Sequence, residues 1–381
     1  MYDANFMKIV RSTKFYLSTK PFKSFALCVS GGVDSIVLLE VFRRIKLAGD
    51  IKNFRVLHVN HGTRDECSTE EKYLQDFCLL NEIKFKVFHN DEVAKKNIEM
   101  GLRATRYEFF YKNLENNEAL VMAHHLDDDI EWNLMQSLKT SSVGPSLYIP
   151  DFGERILRPF LDIKKSELLD VAKSLNLKWF EDQSNEDQKF ERNYIRNSLV
   201  PKIQARFGNF TEHFKRRRAI DKDLSIFLDK EFSQLPFKHL LLSEKFQYVS
   251  FKVPERFSSF GLFYLLVVFF VKKIHPGERG NISRQIEKLY EAFKKNRNGP
   301  LLLSGGVKVF PDYGYIHILC GEPIEDFDHK FKSSVEALGM YEKGLGKGIV
   351  KADLILSSIF NKTFSDKAFV TVGKLESLGE Y

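Results

Sequence analysis

The short apolar run Phe25 to Val29, cut off by Ser30-Gly31-Gly32-Val33-Asp34-Ser35 and followed by apolar residues at helical spacing from Ile36 to Lys46, leaves few folds open to this chain. Five apolar residues stopped by a Ser-Gly-Gly turn read as a buried strand, and the run after them as a helix. The alternation continues. Phe54 to Val59, Phe85 to Phe88 and Ala119 to Ala123 read as strands, and Leu102 to Leu114, Ile130 to Leu138 and Ile163 to Leu175 as helices. Ser68 with Glu71 three residues on has the spacing of a capping box that opens a further helix. Strands alternating with helices predict βαβ units and an α/β fold with a doubly wound, mostly parallel sheet.

The pattern changes beyond a long helical segment from Thr211 to about Phe232. After Pro236 the chain is more aromatic and less regular, with a helix expected over Ile282 to Lys294 and hairpin strands at Leu301 to Leu303 and Val307 to Phe310. We place a first domain at 1–215, a helical linker and smaller α+β accessory domain at 216–322, and a small C-terminal domain or tail at 323–381. Leu262 to Val271 is the most apolar stretch, about half of the roughly 20 residues a membrane span needs, and reads as a buried helix or strand. The N-terminal 20 residues mix charges and lack a signal-peptide core. The four cysteines, Cys28, Cys67, Cys78 and Cys320, have no CxxC spacing, which argues against a zinc ribbon or a redox pair. These features predict a cytoplasmic protein with no membrane association. A net charge of +7 permits an acidic partner such as nucleic acid. The oligomeric state is open, a homodimer being one option.

The loop between strand and helix carries the chemistry. In α/β sheets ligands bind at the carboxyl ends of the strands, which is where this loop falls. Gly31 and Gly32 let the backbone turn tightly and approach an anion. Successive amide N–H groups and the helix N-terminus then attract phosphate. Ser30 and Ser35 add hydroxyls. The lysine of a GxxxxGK[ST] loop is missing. Asp34 is the odd member, because a carboxylate beside phosphates is repelled unless it holds a metal or a cationic substrate. Ser304-Gly305-Gly306-Val307 repeats four of the letters between two strand-like runs, where Gly-Gly is turn chemistry.

Ser-Gly-Gly-x-Asp-Ser after a strand resembles the PP-loop of the ATP pyrophosphatase superfamily, whose fold is that of the adenine nucleotide α-hydrolases. Further segments narrow the resemblance: His58-Val59-Asn60-His61-Gly62-Thr63-Arg64, Arg103-Ala104-Thr105-Arg106-Tyr107, Ala123-His124-His125-Leu126-Asp127-Asp128 with Glu131, Arg158-Pro159, and Glu181 to Asn185 followed by Arg192-Asn193 and Arg196. In this order they are similar to the tRNA(Ile)-lysidine synthase family over roughly residues 24 to 205.

The resemblance implies ATP and Mg²⁺ as cofactors, and free L-lysine and a CAU-anticodon tRNA(Ile) as substrates. It implies adenylation of the wobble cytidine, attack by the lysine amine, and release of pyrophosphate and AMP. Ser30, Gly31, Gly32, Val33, Asp34 and Ser35 would hold ATP, and Asp34, Asp128, Arg103 and Arg106 would serve catalysis. Asp34, Asp128 and Glu131 would receive the lysine ammonium, and Asp128 the metal. His61, Arg64, Arg192, Asn193 and Arg196 would meet tRNA or phosphate. The family usually has Gln where Asp129 stands and Leu where Thr63 stands.

Blander roles compete at several positions. His58 reads equally as a core histidine, Lys215 to Arg218 as a solvated helix face as much as a phosphate contact, and Trp179-Phe180 as core. Another PP-loop enzyme, a tRNA thiolase, is the nearest rival function, although such chemistry wants reactive, often paired cysteines. A nucleotide-binding regulatory module without catalysis is a second.

Overall fold

The computed structural model describes residues 3–60, 66–89, 106–139, 147–150, 152–153, 155–181, 191–243, 246–274, 283–295, 301–302, 307–312, 314–320 and 369–372. The chain divides into two compact units, the first of residues 1–139 and 143–220, the second of 140–142 and 221–381.

The first unit opens with α1 (Ala4–Ser18) and then alternates β1 (Ser24–Cys28), α2 (Val33–Leu47), β2 (Phe54–Asn60), α3 (Glu66–Leu80) and β3 (Lys84–His89). Residues 106–112 are helical (α4). After them come β4 (Glu118–Val121), α5 (Leu126–Lys139), β5 (Phe152–Gly153), β6 (Ile156–Leu157) and α6 (Lys165–Ser174). The sheet order is β3-β2-β1-β4-β6-β5. Every pairing is parallel except that of the short β5 with β6. The expected doubly wound sheet is therefore present.

Period-2 alternation sorts β1 between two layers. Phe25 and Leu27 join the core that α1, α2 and α6 cover, whereas Ala26 faces a second core with Leu57, Leu120, Met122 and the α4 residues Phe109 and Phe110. Strand order reverses on either side of β1, so the crevice between the carboxyl ends of β1 and β4 is the switch point at which such sheets bind ligands.

Two helix starts differ from the sequence reading. Ser68 is no cap, because α3 already runs from Glu66. Glu71 instead accepts from Asn60 Nδ2 at 2.7 Å and contacts His89 Nε2 at 2.9 Å, tying α3 to β2 and β3. Helix α5 begins at Leu126, four residues before the apolar periodicity, with Asp127, Asp128 and Asp129 in its first turn. Carboxylates there complement the helix dipole, a signal that hydrophobic spacing does not carry.

The unit closes with α7 (Glu191–Tyr194), a π-helical turn (Ile195–Leu199), α8 (Val200–Arg206) and the start of α9 (Phe210–Ser233). Pro201 has no N–H to give to the α-helical ladder, and the Val200 N–H bonds Ile195 O, five residues back. Leu126, Ile130, Tyr148, Ile195, Val200 and Phe214 make a small core that fastens this stretch and α9 to α5.

In the second unit, β7 (Phe237–Ser243), β8 (Phe246–Lys252), β9 (Leu301–Leu302), β10 (Lys308–Asp312), β11 (Tyr315–Cys320) and β12 (Phe369–Val372) form an antiparallel sheet ordered β12-β7-β8-β11-β10-β9. Helices α10 (Phe260–Ile274) and α11 (Ser283–Lys294) cover one face through Phe263, Val267, Phe270, Ile286 and Leu289. The apolar run at Leu262 to Val271 is thus a buried helix of this core. Among the described residues no helix is long and apolar enough to cross a membrane.

Candidate active site

The loop after β1 is held from inside. Gly31 has φ +91°, a conformation open to glycine at little cost. Ser35 Oγ donates to Gly32 O at 2.8 Å and receives the Ser30 N–H at 3.2 Å, so its hydroxyl is spent on fixing the turn. Phe180 N–H donates to Gly31 O at 3.0 Å, and the Phe180 ring would lie 3.6 Å from a side chain added at Gly31. The Trp179-Phe180 segment therefore packs on the loop as well as on Tyr73. His58 is buried, with Nδ1 2.8 Å from Val29 O, and burial lowers its pKa, so it braces the loop's first residue as a neutral ring.

Across the crevice, the β4–α5 junction and α7 complete a dense charge cluster. Asp128 Oδ1 accepts from Arg192 at 2.6 Å and Arg196 at 3.1 Å, and Oδ2 from the His125 N–H at 3.1 Å. Glu131, one turn on, accepts from Arg192 Nε at 3.0 Å and Arg196 Nε at 2.6 Å. The buried His125 ring holds the centre, with Nε2 3.4 Å from Asp128 and 3.7 Å from Asp34, and Nδ1 3.6 Å from Asp127. Asp34 takes the Lys165 ammonium at 2.7 Å on each oxygen.

Four carboxylates (Asp34, Asp127, Asp128, Glu131) thus face three fixed cations (Lys165, Arg192, Arg196) around one histidine. The deficit of one positive charge explains the titration of that ring. Burial pushes the His125 pKa down, but Asp128, Asp127 and Asp34 outweigh it and raise it. Burial pushes the Asp128 carboxyl up, yet His125, Arg192 and His124 hold it well below the usual carboxylate range.

The structure brings together Asp34, Asp128, Glu131, Arg192 and Arg196, with Asn193 buried beside them on α7. Arg192 and Arg196 were expected on tRNA or phosphate; here both guanidiniums rest on the carboxylates. Arg106 stands half-buried at the start of α4. His61, Arg64, Arg103 and Thr63 lie outside the described residues. Sequence reasoning missed the roles of His125, Asp127 and Lys165, although His125 and Asp127 were in view within the His-His-Leu-Asp-Asp run. It also missed that Asp129 turns away from the cluster. Asp129 is fully buried and accepts from the Ile149 N–H and Arg218 Nε, each at 2.5 Å. Arg218 is accordingly neither a solvated charge nor a phosphate contact, being 9% exposed.

A Mg²⁺ ion carried on phosphates needs only one or two carboxylates. Asp128 is the carboxylate expected for it; its Oδ1 carries both guanidiniums and its Oδ2 accepts the His125 N–H. A triphosphate fits better, since the loop offers a glycine cradle, a helix N-terminus and an ammonium.

Residues 5–203 match the PP-loop domain family. Among curated relatives, a tRNA(Ile)-lysidine synthase from Haemophilus influenzae is 35% identical over 197 residues, 49% of this chain and 45% of the relative. One from Legionella pneumophila is 32% identical over 211 residues, 54% of this chain and 48% of the relative. The chain spans about half the length of the curated relatives it matches. A solved U34-tRNA thiolase from Methanococcus maripaludis, with a [4Fe-4S] cluster, is similar at 20% identity and TM-score 0.46, covering 57% of this chain and 78% of that one.

Proposed function

Starting from the fact that this chain belongs to the PP-loop domain family, an ATP-binding family, we propose that it ligates free L-lysine to C2 of the wobble cytidine of a CAU-anticodon tRNA(Ile). In the first step the cytosine O2 attacks the α-phosphorus of ATP and pyrophosphate leaves. In the second, the lysine ε-amine attacks C2, the C2–O bond breaks, AMP leaves, and the amine gives up a proton.

The meeting of Asp34 and Asp128 at one buried histidine beside the loop, with Glu131 joined to Asp128 through Arg192 and Arg196, carries this reading. An added ammonium would find these carboxylates by taking the place of the Lys165 ammonium or of the His125 proton, and ammonium–carboxylate bonds are of the strong, charge-assisted kind. In the proposal the loop backbone and α2 N-terminus hold the phosphates, Arg103 and Arg106 steady the triphosphate or adenylate, and His61 and Arg64 meet tRNA or phosphate. Arg192 and Arg196 keep Asp128 and Glu131 aimed. Asp128 would be the carboxylate to hold a Mg²⁺ ion, which would supply charge neutralisation on the phosphates. A carboxylate or a water takes the amine's proton. The chemistry of the thiols speaks against sulfur transfer, since burial pushes Cys28 and Cys78 upward, away from the reactive thiolate.

The test is incubation of the protein with Mg²⁺, ATP, radiolabelled lysine and tRNA(Ile) transcript. We expect label on the tRNA that survives alkali, since an ester would hydrolyse and an N–C bond would not, and its loss in Asp34→Ala and Asp128→Ala. Label that alkali removes, or pyrophosphate release with no label, refutes lysine ligation.

A further inference from the structure

The loop lacks a lysine of its own, yet the fold delivers one. Lys165 is 131 residues from Asp34 in sequence, and its Nζ lies 2.7 Å from both Asp34 oxygens, beside the N-terminus of α2. It is no loose surface side chain. Its backbone N–H donates to Asp127 Oδ2 at 2.8 Å, which fixes the first residue of α6 against the first turn of α5. The preceding Lys164 diverges, its Nζ meeting Glu212 at 3.2 Å. Of the two, Lys165 alone is directed into the crevice, and at 35% side-chain exposure it remains open to a ligand there.

The placement resolves the oddity of Asp34. A carboxylate within a phosphate-binding loop repels the ligand unless a cation covers it, and here an internal ammonium does so. An ammonium on a four-carbon stem is also a strong phosphate partner that can pivot over a few ångströms.

We propose that Lys165 is the phosphate-binding ammonium of this loop: it neutralises Asp34 when the site is empty of nucleotide and moves onto the oxygens of the leaving pyrophosphate when ATP binds. That move uncovers Asp34 for the ammonium of the amine substrate. Lys165 thereby orders the reaction, since the second substrate gains its carboxylate once the first is in place. This rests on the ATP and lysine assignments above.

Isothermal titration calorimetry with pyrophosphate and, separately, AMP tests it on the full chain. Lys165→Met keeps the stem and removes the charge. We expect it to weaken pyrophosphate binding about tenfold or more, the scale of one charge-assisted bond, with Lys165→Arg restoring most of the loss. AMP affinity should stay within about twofold. The deciding measurement uses an Asp34→Asn background, in which there is no charge left to neutralise. A ligand contact predicts that Lys165→Met still costs about tenfold for pyrophosphate there. A cost under about twofold in that background makes Lys165 a mere counter-ion and overturns the proposal. If the wild-type protein binds neither ligand, the ATP assignment falls and takes this inference with it.

Discussion

Asp129 sets burial against pairing, and the outcome is measurable. Arg218 and the Ile149 N–H favour the ionised carboxylate, but complete burial outweighs them and raises its pKa from 3.8 to about 6. Asp162, the other charged group facing Arg218, pushes in the same direction as burial. A carboxyl whose pKa is higher folded than unfolded contributes stability that is complete below the unfolded value and is lost as pH rises through the folded one. A shift of about two units corresponds to roughly 3 kcal/mol at about 1.4 kcal/mol per unit. The perturbation is Asp129→Asn, which keeps an acceptor for the Ile149 N–H and cannot ionise. From about pH 3 to about pH 7 the wild type should lose about 3 kcal/mol relative to the variant, and the difference should then level off. With a urea slope of about 2 kcal/mol per molar, the relative midpoint moves by about 1.5 M. Tryptophan fluorescence isolates the right unit, since the only two tryptophans, Trp132 and Trp179, both lie in the first one. A difference that stays flat across this range refutes the reasoning. One of opposite sign means that Arg218 prevails over burial.

The other expectations are simpler to work out. Removing Arg192 or Arg196 singly leaves Glu131 one guanidinium, so each Ala variant should cost about 1–2 kcal/mol, and the double variant about 3–5 kcal/mol by stranding a buried carboxylate; tryptophan-monitored urea unfolding reads all three. Gly31→Ala meets only ordinary contacts at 3.6 Å but keeps φ +91°, so it should lose about 1–2 kcal/mol to backbone strain. Calorimetry with ATP should show weaker binding for the same variant. Cys78, fully buried and pushed up to about 12, should not react with a thiol reagent at about pH 8 until urea unfolds the chain; the rate of colour release measures this.

What the sequence disclosed depends on how local each feature is. The strand, Gly-Gly turn and helix around Ser30 to Ser35 are legible because all their determinants lie within about 25 residues, and β1 to β4 emerged at nearly their observed bounds. Asp128 and Glu131 could be paired because three residues is one helical turn. Lys165 could not be found this way, since nothing near it in sequence marks its partner. Arg192 and Arg196 read as nucleic-acid contacts because a basic residue does not reveal whether its anion is a phosphate or a carboxylate of the same fold. The three aspartates at the start of α5 show the limit most plainly. At about 100° per residue they point three ways: Asp127 to α6, Asp128 to α7, Asp129 to α9. Identical letters in a row acquire three destinations, and only the start of the helix decides which is which. The Ser68–Glu71 spacing misled for a related reason, its carboxylate being claimed by Asn60 and His89 on neighbouring strands.

The π-helical turn at Ile195–Leu199 makes the cluster vulnerable to a change in chain length. A π turn holds more residues than an α turn over the same span, so this stretch accommodates a surplus residue. Loss of one codon, for Asn197 or Ser198, would allow the ordinary helix to close. On its C-terminal side the chain is anchored by Val200 and Phe214. Ile195, anchored in the same core on the other side, would be set against Val200 by the roughly 100° of lost rotation, and the strain would loosen Arg192 and Arg196 from Asp128 and Glu131. Every side chain of the site would still be encoded, and a comparison of residues alone would pass the gene as intact. In a lineage carrying such a deletion, the count of residues between Arg192 and Pro201 records the damage that the residues themselves do not.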